Sequence, residues 1–408
     1  MRILHTSDWH LGKRLENYSR HEEQVEVLNE ICEIAESEGA EAVIISGDLF
    51  DTFNPPAESV DIFYKYLKKL ASGGRRPVIA IAGNHDSPER IEAPDPLARE
   101  CGILFTGYPN STIEEFSLDS GLQVLRSMEG FVEIKLPSSQ YPLRILQTPF
   151  ANELRLRKFL GCENSNEEFS RYLKDKWRML ADKYCDQSGV NILAAHLFFA
   201  QRDKEIPEEP EDERPILHVG GAEIIYADNI PPQVQYAALG HLHRKQYIAH
   251  EPCPVVYSGS PVSYSFSEAN QKKYVMLIDA EPGQTVSIKE MELSRGKKLI
   301  RKKAESVESA VKWLTDNQDC LVELTIVSDT YLTAENRRAL YNAHNGIITI
   351  IPDITDIGFL NSNGKTAIDL SRDMESLFID YFTNEKGQKP DDELLAIFRE
   401  VISGEETI

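Results

Sequence analysis

Short apolar runs alternate with helical patterns over the first part of the chain. Residues 3–5, 42–45 and 78–81 are apolar except for His5 and are predicted as strands. Between them, apolar residues recur at helical spacing from Val27 to Ala35 and from Val60 to Leu67. Strands that alternate with helices in this way are typical of a layered α/β domain whose sheet is buried on both faces.

The pattern changes after the strand at 273–279. Before it, further strands are predicted at 143–146, 192–195, 236–239 and 255–257, with a long helix over 169–184. After it, an extended segment, two helices and two strands form a small α+β unit. We therefore predict a main domain over residues 1–280, a capping domain over 281–355, and a linker with two amphipathic helices over 356–408.

Each of five predicted strands is followed by side chains that commonly bind metals. Ligands of open α/β sheets bind beyond the carboxyl ends of the strands, so these residues are expected to converge although they are far apart in the chain. The candidate ligands are Asp8, His10, Asp48, Asn84, His196, His241 and His243. A set of unrelated surface residues is the plainer interpretation, and the ordered series argues against it.

Oxygen and imidazole ligands without a thiolate favour Mn²⁺, Fe²⁺ or Zn²⁺ over a cysteine-rich structural zinc site. Seven ligands are too many for one metal with an open position, and they suit two metals bridged by a carboxylate, for which Asp48 is the natural candidate. A metal pair of this kind binds and activates groups for phosphoryl transfer. His85, next to Asn84, is placed to hydrogen-bond the scissile phosphate or to protonate the leaving oxygen.

The remaining histidines have no such motif around them. We interpret His5, His21, His218, His250 and His344 as surface or core residues. Asp51 follows Asp48 closely and is expected either to orient a metal ligand or to cap the next helix.

Charge, cysteine content and apolar runs indicate which partners and which compartment to expect. The 408 residues carry a formal net charge of −22, which argues against a nucleic-acid binder that works alone. The six cysteines are widely spaced, as expected in a reducing compartment. Neither a signal peptide nor a long apolar run is recognisable, so we expect a cytoplasmic protein with no membrane segment.

The ordered motifs resemble those of the calcineurin-like metallophosphoesterases. Within that superfamily, four segments are similar to the SbcD family of bacterial nuclease subunits: residues 1–12, 48–52, 238–244 and 257–261. The resemblance implies a layered α/β sandwich of two central sheets flanked by helices, with a small α+β capping domain and C-terminal helices.

The resemblance also implies two Mn²⁺ ions. Asp8, His10, Asp48 and His243 would hold one ion, and Asp48, Asn84, His196 and His241 the other. His85 corresponds to the family's transition-state histidine. Some archaeal relatives have a histidine where this chain has Asp51, so a second catalytic histidine is not implied there.

The family cuts DNA as a double-strand exonuclease and a single-strand endonuclease, in DNA repair and hairpin processing. It works with the ATPase SbcC, as a homodimer within a two-plus-two assembly. A basic strip is expected either to contact DNA or to be a solvated strand face: Arg295, Lys297, Lys298, Arg301, Lys302 and Lys303. The C-terminal residues expected to contact SbcC are Leu377, Phe378, Tyr381, Phe382, Leu394, Leu395 and Phe398.

Three alternatives stay open. Ile62 and Tyr66 form a second stripe on the helix over 57–70. The resemblance implies a homodimer formed through helices of this region, so this stripe is expected to be either a dimer contact or ordinary surface. The enzyme could be a stand-alone phosphoesterase of nucleotides or small phosphodiesters. A non-catalytic scaffold is a third interpretation, although a scaffold has no need of an intact ligand series.

Overall fold

The structure is a computed structural model. It describes residues 1–156, 165–202, 204–207, 224–328 and 332–354, together with residues 375–379, 382, 390, 394, 395 and 398. Within these residues the chain forms two compact units, residues 1–300 with 319–322 and residues 301–318 with 323–408. None of the described helices combines the length and the apolarity that a bilayer-crossing segment needs.

The helices and strands follow in chain order. The helices are α1 (His21–Ser37), α2 (Ala57–Leu70), α3 (Pro88–Glu92), α4 (Asp95–Arg99), α5 (Glu153–Leu156), α6 (Ser165–Tyr184), α7 (Val307–Asp316) and α8 (Ala334–Ala343). The strands are β1 (Arg2–Thr6), β2 (Arg14–Leu15), β3 (Tyr18–Ser19), β4 (Ala42–Ser46), β5 (Val78–Ile81), β6 (Ile103–Thr106), β7 (Phe116–Ser117), β8 (Gln123–Met128), β9 (Phe131–Lys135), β10 (Leu143–Thr148), β11 (Val190–His196), β12 (Phe198–Ala200), β13 (Ile224–Tyr226), β14 (Tyr236–Gly240), β15 (Gln246–Ala249), β16 (Val255–Tyr257), β17 (Lys273–Asp279), β18 (Ser287–Leu293), β19 (Lys298–Ala304), β20 (Cys320–Ser328) and β21 (Ile347–Ile354).

Two large sheets form the first unit. A six-stranded sheet has the order β18-β17-β1-β4-β5-β6, and β1, β4, β5 and β6 are parallel. An eight-stranded sheet has the order β15-β16-β14-β11-β10-β9-β8-β7, and its strands β16, β14, β11 and β10 are parallel. The predicted α/β sandwich of two central sheets is confirmed.

Three apolar layers hold the sandwich together. Alternate side chains of one strand point to opposite faces of a sheet, so Ile44 packs between the two sheets while Val43 and Ile45 pack toward α1 and α2. Helix α6 covers the eight-stranded sheet, and its Trp177 is fully buried there. Because the central strands are covered on both faces, β4, β5 and β14 consist almost entirely of apolar residues.

The second unit contains most of a three-stranded sheet in the order β19-β20-β21, together with α7 and α8. Its elements match the small α+β pattern expected after the main domain. Strand β18, which lies beyond residue 280, pairs with β17 in the six-stranded sheet of the first unit. The division of the chain into three domains stays a prediction, since most residues after 354 lie outside the described part.

Candidate metal centre

The candidate ligands lie where strands of the two sheets end. Asp8 and His10 follow β1, Asp48 follows β4 and Asn84 follows β5, while His196 ends β11 and His241 and His243 follow β14. Backbone hydrogen bonds join the loops, from Asp8 N to the Gly47 carbonyl (3.0 Å) and from His10 N to the Asp48 carbonyl (2.9 Å). Six of the seven side chains are almost completely buried, and Asn84 is 8% exposed. The structure therefore brings all seven together.

Four of these residues have a left-handed backbone that only glycine adopts without cost. The φ angles are 54° at Asp8, 42° at His10, 49° at Asp48 and 118° at His241. Such conformations cost about 1–3 kcal/mol each and persist only where the surrounding structure holds them. Strain at four ligand-type residues marks this edge of the sandwich as a site that the fold maintains for a purpose other than stability.

One half of the cluster surrounds His10. Its Nε2 lies 2.9 Å from Nε2 of His243 and 3.5 Å from Oδ2 of Asp48. Asp8, His10 and His243 each offer a ligand atom within 4.8 Å of the others. Imidazole nitrogens that face one another beside carboxylates are the donor set of a divalent-cation site.

The other half surrounds the side-chain oxygen of Asn84. His196 Nε2 lies 2.9 Å from Asn84 Oδ1, and His241 Nδ1 lies 3.1 Å from the same oxygen. His196 Nε2 is also 3.3 Å from Oδ2 of Asp48, the carboxylate oxygen that approaches His10. The Asp48 carboxylate thus lies between the two halves, as the hypothesis of a bridging ligand requires.

His85 lies at the mouth of the cluster. Its backbone N–H donates to Oδ1 of Asp48 (2.9 Å), and its Nδ1 is 2.9 Å from the Asp51 carbonyl oxygen. The imidazole rings of His85 and His10 are 4.8 Å apart. Bonding of Nδ1 to a carbonyl places a proton on that nitrogen and leaves Nε2 for a ligand of the site.

Asp51 does not cap a helix, because α2 begins only after Pro56. Its carboxylate contacts neighbouring side chains instead. Its Oδ1 is 3.6 Å from Nδ1 of His10, a buried nitrogen with no hydrogen-bond partner. The same oxygen is 3.5 Å from Nζ of Lys13. Of the two roles expected for Asp51, the orientation of His10 fits this geometry.

Two glycines allow the loops to approach each other. A Cβ on Gly47, whose φ is +88°, would lie 2.2 Å from Nδ1 of His196. A Cβ on Gly83 would lie 2.0 Å from Oδ1 of Asp48. Any side chain at either position would displace a candidate ligand, which explains the glycine in both motifs.

Opposite charges balance within the buried site. Burial alone would raise the pKa of Asp48, but His196, His85 and His10 lower it well below its usual value. Burial alone would lower the pKa of His196, but Asp48 and Asp8 raise it to about 9. For His10 burial dominates and lowers the pKa to about 3. Asp48 is therefore the anionic centre of the cluster, as a ligand shared by two cations should be.

Asp86 fixes the loops that carry Asp48 and Asn84. The sequence gave no role to this residue, which directly follows Asn84 and His85. Its carboxylate accepts hydrogen bonds from the backbone N–H groups of Gly83 (2.7 Å), Leu49 (3.0 Å) and Phe50 (2.9 Å). Burial and the nearby Asp48 raise the pKa of Asp86 to about 6. The residue joins the ends of β4 and β5 into one rigid support.

Arg155 supports the same loop from the other side, and the sequence gave no indication of it. The guanidinium donates to the carbonyl oxygens of Gly83 (2.7 Å), Asp86 (2.9 Å) and Asn84 (3.3 Å). The residue is 8% exposed and its charge stacks over the ring of Phe150. Its role is visible only in three dimensions, because its partners are backbone atoms.

The Tyr257–Pro261 segment also supports the site. Ser258 Oγ is 2.8 Å from Ser7 Oγ, which in turn donates to Oδ2 of Asp8 (2.5 Å). Lys273 pairs with the buried carboxylate of Glu268, whose Oε1 is 3.8 Å from Nδ1 of His243. These contacts orient the outer ligands, as the surroundings of a metal site commonly do.

Comparison with known proteins decides the family. The sequence model of the calcineurin-like phosphoesterases matches residues 1–245. The SbcD component of the nuclease SbcCD from Bacillus subtilis is 35% identical over 414 residues, covering 100% of this chain and 99% of that protein. The corresponding protein of Rhodobacter capsulatus is 32% identical and covers 69% of this chain and 67% of its own length.

The chain belongs to the SbcD branch of the calcineurin-like phosphoesterase family. It is accordingly a metal-dependent phosphodiesterase. Among solved structures, a dimetal phosphatase from Danio rerio is similar over 72% of this chain and 96% of its own, at 11% identity and a TM-score of 0.39, too low to support a conclusion.

Several histidines lie away from the SbcD-type centre, as expected. His5 is buried between the sheets, with Nδ1 2.9 Å from the Tyr236 hydroxyl and Nε2 3.1 Å from the Leu239 carbonyl, and burial lowers its pKa to about 3. The ring of His250 stacks on Tyr247, and Nε2 of His344 is 2.9 Å from the Asn317 carbonyl. His218 lies outside the described residues.

The basic strip has acidic and aromatic neighbours. Arg295 pairs with Glu33, Arg301 with Glu323 and Lys303 with Asp353. Lys297 donates to the Tyr18 hydroxyl, and Lys302 lies over the Trp313 ring. Much of the positive charge is thus neutralised locally, and a DNA contact by this SbcD-type strip stays a prediction.

The suggestion that Ile62 and Tyr66 form a dimer surface is wrong. Both side chains are buried in the core of the first unit, at 5% and 1% exposure. Helix α2 packs against α1 as well as against the sheet, and Tyr66 lies beside Asn29 and Cys32 of α1. A helix with two packed neighbours needs two apolar stripes, and the second stripe here belongs to the core.

The described C-terminal residues include most of the expected partner contacts. Residues 375–379, 382, 394, 395 and 398 are helical, and Tyr381 lies outside the described residues. The rings of Phe378 and Phe398 stack at 4.0 Å, so the two segments contact each other. Their role in binding a partner stays a prediction.

Proposed function

We propose that this chain is the nuclease subunit of an SbcC–SbcD-type complex and hydrolyses the phosphodiester bonds of DNA. The observation that carries the proposal is the convergence of seven ligand-type side chains around Asp48, with His85 at the mouth. The full-length similarity to a nuclease subunit supports DNA, rather than a nucleotide or a small phosphodiester, as the substrate.

The residues fit two divalent metals, which we propose to be Mn²⁺. Asp8, His10, Asp48 and His243 would hold one ion, and Asp48, Asn84, His196 and His241 the other. The facing Nε2 atoms of His10 and His243 and the Oδ2 of Asp48, which both His10 and His196 approach, support this assignment, because such groups gather where a cation binds between them. When bound, the ions supply Lewis acidity and neutralise charge on the transferring phosphoryl group.

His85 is the proposed acid and phosphate-binding group. Its ring is fixed through Nδ1 by the Asp51 carbonyl and its backbone by Asp48, so Nε2 keeps one position. A protonated ring donates from Nε2 to the phosphate or to the leaving oxygen. The buried walls around His10 and Asp48 exclude bulk water and strengthen that interaction.

An SbcC-type ATPase is the proposed partner, in a two-plus-two assembly. The bacterial relatives are themselves named as one component of the nuclease SbcCD, which supports a second component here. The net charge of −22 supports the same idea, because a partner must supply positive surface for long DNA. The chain's own contribution is the hydrolytic centre.

A nuclease assay with Mn²⁺, with and without SbcC and ATP, tests the proposal on DNA and on bis(p-nitrophenyl) phosphate. His85→Ala should lower kcat on DNA by about 10²–10⁴-fold, the usual contribution of an acid group. Its metal content by mass spectrometry should match that of wild type, because His85 is not among the assigned ligands.

Wild-type enzyme that cleaves only the small diester in every condition would favour the stand-alone phosphoesterase. A variant that loses metal and activity together would contradict the role assigned to His85. Lys68→Gln, at an exposed position on α2, serves as the control and should leave both measurements unchanged.

A further inference from the structure

A second pocket adjoins the metal centre. It has a volume of about 440 Å³ and is lined by Leu11, Gly12, Lys13, Arg14, Asp51, Thr52, Asn54 and Pro56. The loop after β1 and the loop after β4 form its walls, and Asp51 belongs both to this pocket and to the surroundings of His10. A molecule in the pocket would therefore lie directly beside one bound at the metals.

The charge of this pocket is opposite to that of the chain. Lys13 and Arg14 stand on its wall, and Asp51 is the acidic residue of the lining. The Asp51 carboxylate faces His10 Nδ1 at 3.6 Å as well as Lys13 Nζ at 3.5 Å, so its charge is shared. In a protein with a net charge of −22, a cationic pocket next to the catalytic centre is a specific feature.

The two loops that form the pocket are joined by the contacts that also fix the metal centre. Leu11 and Phe50 form a parallel bridge between the two loops, and Lys13 N donates to the His10 carbonyl at 2.9 Å. The Lys13 side chain is 13% exposed and its ammonium lies 5.8 Å from the centre of the Tyr264 ring. Lys13 is thus fixed at the boundary between the pocket and the ligand cluster.

We infer that Lys13 and Arg14 bind a phosphodiester of the substrate strand next to the one that is cut. The inference rests on the proposed function. Lysine is a compact point charge for phosphate and arginine offers a planar fork to its oxygens, so the pair suits a backbone phosphate. Contacts of this kind position a strand without reading its sequence.

The inference separates two kinds of substrate. An oligonucleotide carries a neighbouring phosphate and reaches the pocket, whereas bis(p-nitrophenyl) phosphate carries a single phosphate and does not. Loss of the pocket should weaken the first substrate much more than the second. It should also reduce the salt dependence of oligonucleotide binding, because a phosphate that the protein no longer contacts keeps its counterions when the strand binds.

The test compares the pocket variant Lys13→Gln/Arg14→Gln with the control variant Lys68→Gln/Arg75→Gln. The control removes the same charge from two exposed positions, Lys68 in the last turn of α2 and Arg75 five residues after that helix ends. With Mn²⁺, KM for a single-stranded oligonucleotide should rise about tenfold or more in the pocket variant. The slope of log KM against log salt should flatten by about one for each residue lost. On bis(p-nitrophenyl) phosphate its kcat/KM should fall much less, and the control should match wild type on both substrates.

Equal losses on both substrates would overturn the inference, because they would place Lys13 and Arg14 in support of the metal centre. A pocket variant that behaves like the control would also overturn it. Wild-type enzyme that cleaves neither substrate would overturn the proposed function itself, which is a different result.

Discussion

Asp48 shows how one residue joins the two halves of the site. Its backbone is left-handed, with a φ of 49°, and its Oδ1 is fixed by the N–H of His85. The other oxygen is then free to face His10 and His196 at 3.5 and 3.3 Å. A single side chain can contact both halves because its backbone strain is held by the loops around it.

Arg155 is the residue whose replacement best tests this support. Arg155→Lys keeps the charge but replaces two donor nitrogens, held apart in a planar guanidinium, by a single nitrogen that cannot reproduce their positions, so the Gly83–Asp86 loop should lose its fixed geometry. We expect kcat to fall about ten- to hundredfold, the usual effect of losing a contact behind a metal ligand, with KM little changed. Steady-state kinetics with Mn²⁺ measure this.

Added guanidinium should restore part of the activity of Arg155→Ala, which a general loss of folding would not allow. Arg178→Lys, on the exposed face of α6, should behave as wild type. Equal kcat values for Arg155→Lys and Arg178→Lys would rule out a positioning role for Arg155.

The candidate ligands could be predicted from the sequence, and their supports could not. Asp8, His10, Asp48 and Asn84 stand a few residues after apolar runs, and topology makes such positions converge. Asp86 and Arg155 bind backbone N–H and carbonyl groups of other loops. Because every residue offers the same backbone groups, no residue pattern indicates which of them will be bound.

At the scale of elements, most of the buried parallel strands were predictable and the β8–β9 hairpin was not. Strands β1, β4 and β5 are buried on both faces and consist of apolar runs. Strands β8 and β9 form a hairpin toward the edge of the eight-stranded sheet, and β8 exposes Leu125 and Arg126. A half-exposed strand lacks the continuous apolar signal on which the prediction relied.

Helix α2 gives a prediction about stability rather than assembly. Ile62→Ala removes a side chain that is buried in the core, and should lower the free energy of unfolding by about 2–5 kcal/mol. Urea unfolding of the purified chain measures this change. The oligomeric state, measured by sedimentation, should not change.

Asp61→Ala alters the neighbouring, exposed position and is the matched control, with little expected effect on unfolding. A loss of self-association in Ile62→Ala, with unchanged unfolding, would restore the dimer interpretation of this stripe.

At the scale of the whole molecule, the acidic charge and the hydrolytic centre need to be reconciled. A chain with a net charge of −22 repels long nucleic acid, yet its metal centre and the pocket at Lys13 suit phosphodiesters. Two bound divalent cations and a positively charged partner surface would both reduce this repulsion. The molecule is therefore expected to work as the cutting subunit of a larger complex.

Deletion of residues 365–408 tests whether the C-terminal residues bind the partner. The described C-terminal residues carry stacked aromatic rings at Phe378 and Phe398, which an amphipathic partner-binding segment would offer. The shortened chain should keep its melting temperature and its Mn²⁺-dependent cleavage of a small diester, and should no longer copurify with SbcC. Copurification of the shortened chain would contradict the assignment.

The most direct test of the metal centre is anomalous diffraction at the manganese edge from crystals grown with Mn²⁺. A pair of metals bridged by Asp48 should give two peaks about 3.5–4 Å apart. The carboxylate of Asp48 should lie between them, with His10 and His243 on one side and Asn84, His196 and His241 on the other. A single peak, or peaks that do not contact Asp48, would contradict the proposed pair of metals.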